Sequence, residues 1–194
     1  MFTLASQSPR RIELLRELHL EFDCKTAQIN EQALLETNKN ISFHDLVKKL
    51  AMAKAWEVFE REDQHDPVLA ADTIVILNNK ILGKPENGQD AKRMLIQLCG
   101  QYHEVLTGVS MIDEQGETAF VSASRVKFRP FSPQVEDIID ASIRSGSALD
   151  KAGAYGIQEF GKLLVEKIDG DFYSIMGLPI AQVYALLYEK EWIS

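Results

Sequence analysis

The first residues of the chain carry hydroxyl and guanidinium groups at the predicted start of a helix. Ser6 lies shortly before Pro9, Arg10 and Arg11, and a helical pattern of apolar residues follows directly. Ser8 suits the N-cap and Pro9 the first helical position, so free backbone N–H groups lie at the same place. Two arginines gain nothing from the positive end of a helix dipole. A bound anion would account for them, and a polyphosphate fits best; a capped helix with two solvated arginines is the alternative.

A second group of polar residues interrupts an apolar run. Residues 68–77 predict a buried strand in which only Asp72 and Thr73 are polar. An unpaired carboxylate in such a strand costs free energy or becomes protonated. Bound Mg²⁺, or a neighbouring Lys or Arg, would remove that cost. An Asp that bonds backbone amides at a strand irregularity is the structural alternative. We favour a functional Asp72, because strand residues that face a cleft are common catalytic positions.

Lys54 occupies an apolar line of a predicted helix. At about 100° per residue it shares one face with Phe43, Val47 and Leu50. A lysine in this position either extends past the apolar surface to solvent or carries a cation into a site. The pattern by itself favours the solvent-directed lysine.

Two loops could complete a nucleotide site. Lys84, between Gly83 and Pro85, could return toward the strand that carries Asp72, although a turn lysine is the simpler interpretation. Residues 150–158 are rich in small side chains, which allow a ligand to approach the backbone, or else form a bend between elements. Gln158 there offers a donor and an acceptor, as a nucleobase edge requires. The chain contains neither the P-loop motif nor the dinucleotide-binding motif.

The elements that must position these residues follow from periodicity and turn signals. We predict helices that begin at Pro9 and near Ser132 and Pro179, and helices over 42–61 and 89–99. Predicted strands cover residues 2–5, 68–77, 80–82, 104–112, 118–128, 163–168 and 172–176. Residues 78–79, 114–117 and 169–170 are predicted hairpin turns, and 28–40 a polar loop. Hairpins mixed with helices predict an α/β protein with a mixed sheet.

Composition narrows the class of protein. With 194 residues, one large domain or two small lobes are expected. The net charge of −8 argues against a general nucleic-acid or acidic-membrane surface, so a polyanionic ligand would need a locally basic pocket. The two cysteines lie far apart, and the four histidines, including His65, form no zinc-binding spacing. Neither a signal peptide nor a membrane span is recognisable. We expect a cytoplasmic protein with no nucleic-acid or membrane partner.

Six segments, in order along the chain, resemble the motifs of the Maf family of nucleoside triphosphate pyrophosphatases. They are ASQSPRR at 5–11, ADTIV at 71–75, GKP at 83–85, TGV at 107–109, DKAGAYGIQ at 150–158 and GLP at 177–179. The resemblance implies a single Maf-like domain over 1–194, with an elongated, twisted mixed sheet, flanking helices and two lobes around a cleft. It also implies a homodimer and hydrolysis of a nucleoside triphosphate to the monophosphate and pyrophosphate with Mg²⁺ or Mn²⁺.

The resemblance also assigns roles to individual residues. Asp72 matches the catalytic proton acceptor, and Lys54 and Lys84 match further catalytic positions. Substrate-binding positions fall on Ser6, Arg10, Arg11, Thr73 and Gln158. Glu31 matches an acid that would bind the metal together with Asp72. Asn30 stands where the family often has a second acid.

Three positions resemble one branch of the family. Arg10, Thr73 and Gln158 are similar to the branch that acts on dTTP and UTP, whereas the branch that acts on 7-methyl-GTP has Trp, Gln and Glu at these positions. A neutral Gln can pair with the O4/N3–H edge of uracil or thymine. The resemblance therefore implies house-cleaning hydrolysis of dTTP, UTP or modified pyrimidine nucleotides. A 7-methyl-GTP pyrophosphatase and a non-catalytic, nucleotide-sensing regulator of cell division are the alternatives.

Overall fold

The computed structural model describes residues 1–61 and 66–193, so His65 lies outside the described residues. The described chain is an α/β protein. Its helices are α1 Pro9–Glu17, α2 Glu31–Thr37, α3 Phe43–Arg61, α4 Gly88–Leu98, α5 Pro133–Arg144, α6 Gly161–Leu164, α7 Phe172–Met176 and α8 Ile180–Glu189. Its strands are β1 Phe2–Leu4, β2 Phe22–Cys24, β3 Val68–Leu77, β4 Lys80–Leu82, β5 Tyr102–Asp113, β6 Gly116–Phe128 and β7 Val165–Asp169.

The strands form one mixed sheet, as the sequence predicts. Its order is β2-β1-β3-β5-β6-β7, and β4 pairs with β3. β1 is parallel to both β2 and β3, whereas the pairs β3–β4 and β6–β7 are antiparallel. Every residue of β3 is buried except Thr73, which is half-buried. Because alternate residues of a strand face opposite sides, β3 is covered on both faces.

The chain divides into two compact units. The first comprises Met1–Asp72, Thr107–Ser122 and Gly177–Ser194, as far as these residues are described. Small and branched side chains form part of its core: Ala5, Ala55, Val58, Val68, Ala70 and Ile112. Helix α3 lies so close to β5 that a Cβ on Gly108 would overlap the carbonyl group of Val47. Position 108 therefore has no room for a side chain.

The second unit comprises Thr73–Leu106 and Ala123–Met176. Its core includes an aromatic cluster of His103, Phe128 and Tyr155, whose rings meet edge to face with centroids 4.9–5.5 Å apart. His103 Nε2 and the Tyr155 hydroxyl are hydrogen-bonded at 2.8 Å. Burial lowers the pKa of His103 to about 4. The same burial raises the pKa of Tyr155.

Most predicted elements are present. The helix predicted at 42–61 is α3, and the hairpin between β3 and β4 turns at Asn78 and Asn79, with φ of 49° and 61°. Gly100 follows α4 with φ of 71°, consistent with a predicted helix end. Both cysteines are free thiols. None of the described helices combines the length and apolar character required to cross a membrane.

The prediction of a loop at 28–40 is wrong. These residues include α2, which begins where the Asn30 side chain accepts a hydrogen bond from the Ala33 N–H at 3.0 Å. None of the residues of α2 is buried. The helix therefore has no apolar periodicity that a sequence pattern could reveal.

The hairpin predicted at 163–176 is also wrong in part. Residues 161–164 form α6, only 165–169 form a strand, and 172–176 form α7. Asp171 explains why residues 172–176 form a helix and not the predicted strand. Its carboxylate accepts from the Tyr173 N–H at 2.9 Å, and its carbonyl accepts from the Ser174 hydroxyl at 2.8 Å. These bonds begin a helix rather than a returning strand.

Candidate active site

The segment between β1 and α1 holds one arginine side chain in place. Ser6 Oγ accepts hydrogen bonds from the Ser8 N–H at 3.1 Å and from Arg11 Nη1 at 3.4 Å. Arg11 Nε donates to the Gly177 carbonyl at 2.7 Å. Ser8 occupies the predicted N-cap position, but its side chain makes no capping bond. The hydroxyl that orders this turn belongs to Ser6, which is buried and accepts the hydrogen bond from the Ser8 N–H.

The charge on Arg11 interacts with both acids proposed for the site. Burial lowers the pKa of the Arg11 guanidinium, and the neighbouring charge of Arg10 lowers it further. Asp72 and Glu31 act in the opposite direction and raise this pKa. Arginine stays protonated even so. The first unit thus brings Arg11 into electrostatic interaction with Asp72, Arg10 and Glu31.

Lys54 lies at the centre of this group. Its side chain is 12% exposed, and its ammonium forms ion pairs with Glu31 Oε1 at 2.8 Å and with Asp72 Oδ1. The favoured prediction of a solvent-directed lysine is wrong, because the ammonium turns toward these two carboxylates. Val47 and Leu50, on the same face of α3, are buried, so this face carries Lys54 into the interior rather than toward solvent.

The buried carboxylate of Asp72 has the cation that the sequence requires. Asp72 is 9% exposed on β3, and Lys54 donates a hydrogen bond to its Oδ1. A neighbouring lysine was one of the two proposed ways to remove the cost of burial. The Gly177 carbonyl, in contrast, was not predicted as part of the site. A backbone acceptor has no side-chain signature, and only the GLP motif drew attention to this position.

The second unit carries the remaining candidates: Thr73, Lys84 and Gln158. Lys84 is exposed, and its loop is tied by a hydrogen bond from the Gly153 N–H to the Gly83 carbonyl at 3.0 Å. Gln158 Oε1 is buried and has no hydrogen-bond partner among the described residues. A buried acceptor of this kind is costly unless a ligand supplies a donor.

The carboxylates of Asp72 and Glu31 have the chemistry of a magnesium site shared with substrate. Both carboxylates form ion pairs with the ammonium of Lys54. Among the described residues, no three His, Cys, Asp or Glu side chains are grouped as a metal cage. Mg²⁺ usually takes one or two carboxylates and fills its other positions with water and phosphate oxygens. The two acids therefore fit a cation that binds together with a polyphosphate.

The geometry of the first unit suits hydrolysis of a phosphoanhydride. Cationic side chains on α1 and α3 can bind phosphate oxygens, and the hydroxyl of Ser6 lies at the start of α1 with them. The carboxylate of Asp72 is fixed in the same group by Lys54 and can accept a proton from water.

Comparison with known proteins gives relatives along nearly the whole chain. The sequence model described as Maf-like protein matches residues 1–190. A dTTP/UTP pyrophosphatase of Thermotoga petrophila is 40% identical over 190 residues, which cover 97% of this chain and 89% of that protein. Proteins of the same name from Thermosipho melanesiensis and Bacillus velezensis are both 42% identical. They cover 98% and 96% of this chain, and the matches cover 98% and 94% of those proteins.

Proposed function

The chain belongs to the Maf family, and we propose that it is an enzyme that hydrolyses dTTP and UTP to the monophosphate and pyrophosphate, a house-cleaning reaction of nucleotide pools. The observation that carries this proposal is the buried Asp72–Lys54 pair, which lies with Arg11 and Glu31 in the first unit. Relatives named for this activity support it.

In the proposed reaction, water attacks the α-phosphorus and the bond from that phosphorus to the bridging oxygen of the β-phosphate breaks. Asp72 accepts the proton of the attacking water. Lys54 fixes the orientation of the Asp72 carboxylate through its hydrogen bond to Oδ1. Arg10 and Arg11 stabilise the negative charge that develops on the leaving pyrophosphate. Lys84 is the further catalytic position that the family resemblance implies.

A divalent cation, Mg²⁺ or Mn²⁺, forms part of the proposal. Asp72 and Glu31 would hold it, and when bound it would neutralise phosphate charge and polarise the reacting phosphoryl group. Lys54 pairs with both of these acids. Its ammonium would therefore keep the two carboxylates near each other before the cation and the substrate bind.

Gln158 accounts for the proposed preference for uracil and thymine. Its unpaired, buried Oε1 needs a hydrogen-bond donor. The N3–H group of these bases is such a donor, and the side-chain NH₂ can donate to O4 in return. Cytosine presents the reverse order, an acceptor at N3 and a donor amine at position 4, so it would pair with Gln158 only if the side-chain amide turned by about 180°. Arg10 and Thr73 are the other proposed specificity positions.

A nucleotide panel tests the activity. Wild type and Asp72→Asn are assayed with dTTP, UTP, CTP and 7-methyl-GTP, and pyrophosphate and orthophosphate are measured separately. We expect pyrophosphate from dTTP and UTP, and at least a 100-fold loss of kcat in Asp72→Asn, because a general base contributes on that order. Orthophosphate as the product, or full activity in Asp72→Asn, would exclude the proposal. Preferred hydrolysis of 7-methyl-GTP would instead support the other branch.

A complementation experiment separates catalysis from a regulatory role. If a folded Asp72→Asn protein restored normal cell division in a strain that lacks the gene, turnover would not be required. That result would support a nucleotide-sensing regulator of cell division.

Cytoplasmic location, a homodimer and the absence of nucleic-acid or membrane partners complete the proposal. They derive from the family resemblance and the composition. Sedimentation equilibrium and cell fractionation are the direct tests of assembly and location. A monomer at all concentrations, or recovery with the membrane fraction, would contradict these parts and leave the proposed reaction unaffected.

A further inference from the structure

A buried lysine outside the proposed catalytic group contacts the segment that carries Gln158. Lys151 is 6% exposed, and its ammonium reaches three acceptors. It donates to the Ser147 carbonyl at 2.7 Å and to Asp150 Oδ1 at 2.7 Å, and it pairs with Glu159 Oε1 at 3.0 Å. Three acceptors match the three N–H donors of an ammonium, so this buried charge is satisfied within the second unit.

Gln158 is the third residue of a tight turn. The Glu159 N–H donates to the Gly156 carbonyl at 3.0 Å, which closes a four-residue turn over 156–159. The Gly161 N–H donates to the same carbonyl at 3.1 Å. Ile157, the second residue of the turn, is buried in the core of the second unit. The backbone of Gln158 is therefore set by how firmly both ends of this turn are held.

Lys151 holds both ends. At the first end, a Cβ on Gly156 would lie 2.8 Å from Lys151 Cε and 3.1 Å from Cδ, so the lysine stem packs directly against the Gly156 backbone. At the last end, the ammonium pairs with the Glu159 carboxylate. A shift of Lys151 would release both ends together.

We propose that Lys151 is a positioning residue for nucleobase recognition: it clamps the turn over 156–159 and so fixes the amide of Gln158 toward the base. This inference rests on the proposed function. It assigns Lys151 no contact with substrate. Its effect is on the choice of base and passes through Gln158, whose buried Oε1 has no partner among the described residues.

Lys151→Met removes the ammonium and retains most of the stem. The matched control is Lys92→Met, because Lys92 also pairs with two carboxylates of the second unit, Glu136 at 2.9 Å and Asp140 at 2.8 Å. Glu159→Ala breaks the clamp from its more exposed end, where the side chain is 34% exposed, and serves if Lys151→Met does not fold.

The first measurement is amide hydrogen exchange, which needs no substrate. We expect the Glu159 and Gly161 amides to exchange at least tenfold faster in Lys151→Met and Glu159→Ala, because both amides donate to the clamped carbonyl of Gly156. Lys92→Met should leave both rates unchanged. Unchanged exchange in the clamp variants would overturn the clamp.

The second measurement is the ratio of kcat/KM for UTP to that for CTP. We expect this ratio to fall about tenfold in Lys151→Met, as when one hydrogen bond to the base is lost, and to keep its wild-type value in Lys92→Met. If Lys151 had only a structural role, its replacement would lower kcat/KM equally for UTP and CTP. An unchanged ratio together with faster amide exchange would therefore overturn the role in base recognition. If wild type hydrolyses neither nucleotide, the proposed function fails, and the role of Lys151 in base recognition fails with it. The exchange measurement would still show whether Lys151 holds the turn over 156–159.

Discussion

At the scale of single residues, Lys54 is the group on which two carboxylates depend. We expect Lys54→Met to lower the free energy of unfolding by about 2 kcal/mol, because it takes a buried hydrogen bond and cation from Asp72. The matched control is Lys48→Met on the same helix, whose pair with Asp45 is exposed. That change should cost much less, because an exposed ion pair contributes little to stability. Urea denaturation measures both, and equal losses would contradict the prediction.

His103 predicts a pH dependence of stability. Its pKa is about 4 in the folded protein and near 6.5 in the unfolded chain, so unfolded chains bind more protons between these values. Stability is therefore retained above pH 6.5 and is lost as the pH falls toward 4.

Between pH 7 and pH 5, this histidine should remove about 2 kcal/mol from the free energy of unfolding. His103→Gln should show a smaller fall over the same range, whatever its stability at pH 7. Urea denaturation of both proteins at the two pH values gives the comparison. Parallel losses would show that other groups cause the dependence.

The sequence indicates some site residues better than others. Asp72 is conspicuous because a carboxylate interrupts an apolar strand, and Arg10 and Arg11 are conspicuous because they occupy the unfavourable, positive end of a helix dipole. The function of Lys54 could not be predicted from its helix. Its position on an apolar face fits either orientation, and the partners that decide between them lie 23 and 18 residues away, at Glu31 and Asp72.

At the scale of elements, the close contact between α3 and β5 leaves no space for a side chain at Gly108. We expect Gly108→Ala to cost about 1–3 kcal/mol, because its methyl group would displace the backbone of α3 at Val47. The rate should also fall, since α3 carries Lys54. Gly83→Ala is the control, because its Cβ would meet no atom within 4 Å. Urea denaturation and the rate of pyrophosphate release should both show a loss for Gly108→Ala and no loss for Gly83→Ala.

Helix α2 depends on its cap. It has seven residues, none of them buried, and its first turn is joined to Asn30 by the hydrogen bond from Ala33. We expect Asn30→Ala to cost about 1 kcal/mol locally and to loosen the pair between Glu31 and Lys54. Asn30→Asp, an equally good cap, should preserve both. Exchange at the Ala33 amide and the rate of hydrolysis report the outcome, and equal behaviour of the two variants would exclude a capping role.

Element length explains which elements the sequence reveals. α3 has 19 residues and β3 has ten, so each is long enough to be recognised from its sequence. α6 has four residues and α7 has five, about one turn each. Such helices show no apolar period, and α7 depends on side-chain bonds at Asp171 that also suit a turn. A strand–turn–strand prediction at 163–176 was therefore half correct.

At the scale of the molecule, charge predicts selectivity among polyanions. With a net charge of −8, the protein should show no saturable binding to duplex DNA at physiological salt, although its arginines suit a triphosphate. Fluorescence anisotropy of a labelled duplex, titrated at several salt concentrations, is the measurement. Tight, salt-sensitive binding would contradict this expectation and the proposed absence of nucleic-acid partners.

The mixed sheet was predictable as a class, but its strand order was not. Hairpin strands are neighbours along the chain and carry turn signals, as at Asn78 and Asn79. The parallel pairing of β1 with β3 joins residues more than 60 positions apart, Thr3 with Val68 and Leu4 with Leu69. β2, with three residues and no buried one, was not predicted. Long-range pairing of short strands leaves no local pattern to find.

The alternation of β3 has a consequence for its gene. Asp72 and Thr73 are adjacent, so their side chains face opposite sides of the sheet. One codon inserted or deleted in frame within Val68–Ala71 would exchange the two faces if the pairing with β1 is kept, and Asp72 would turn away from Lys54. The encoded segment would be equally apolar and would preserve every catalytic side chain. A genetic screen should nevertheless recover such alleles as null, together with replacements of Asp72 itself.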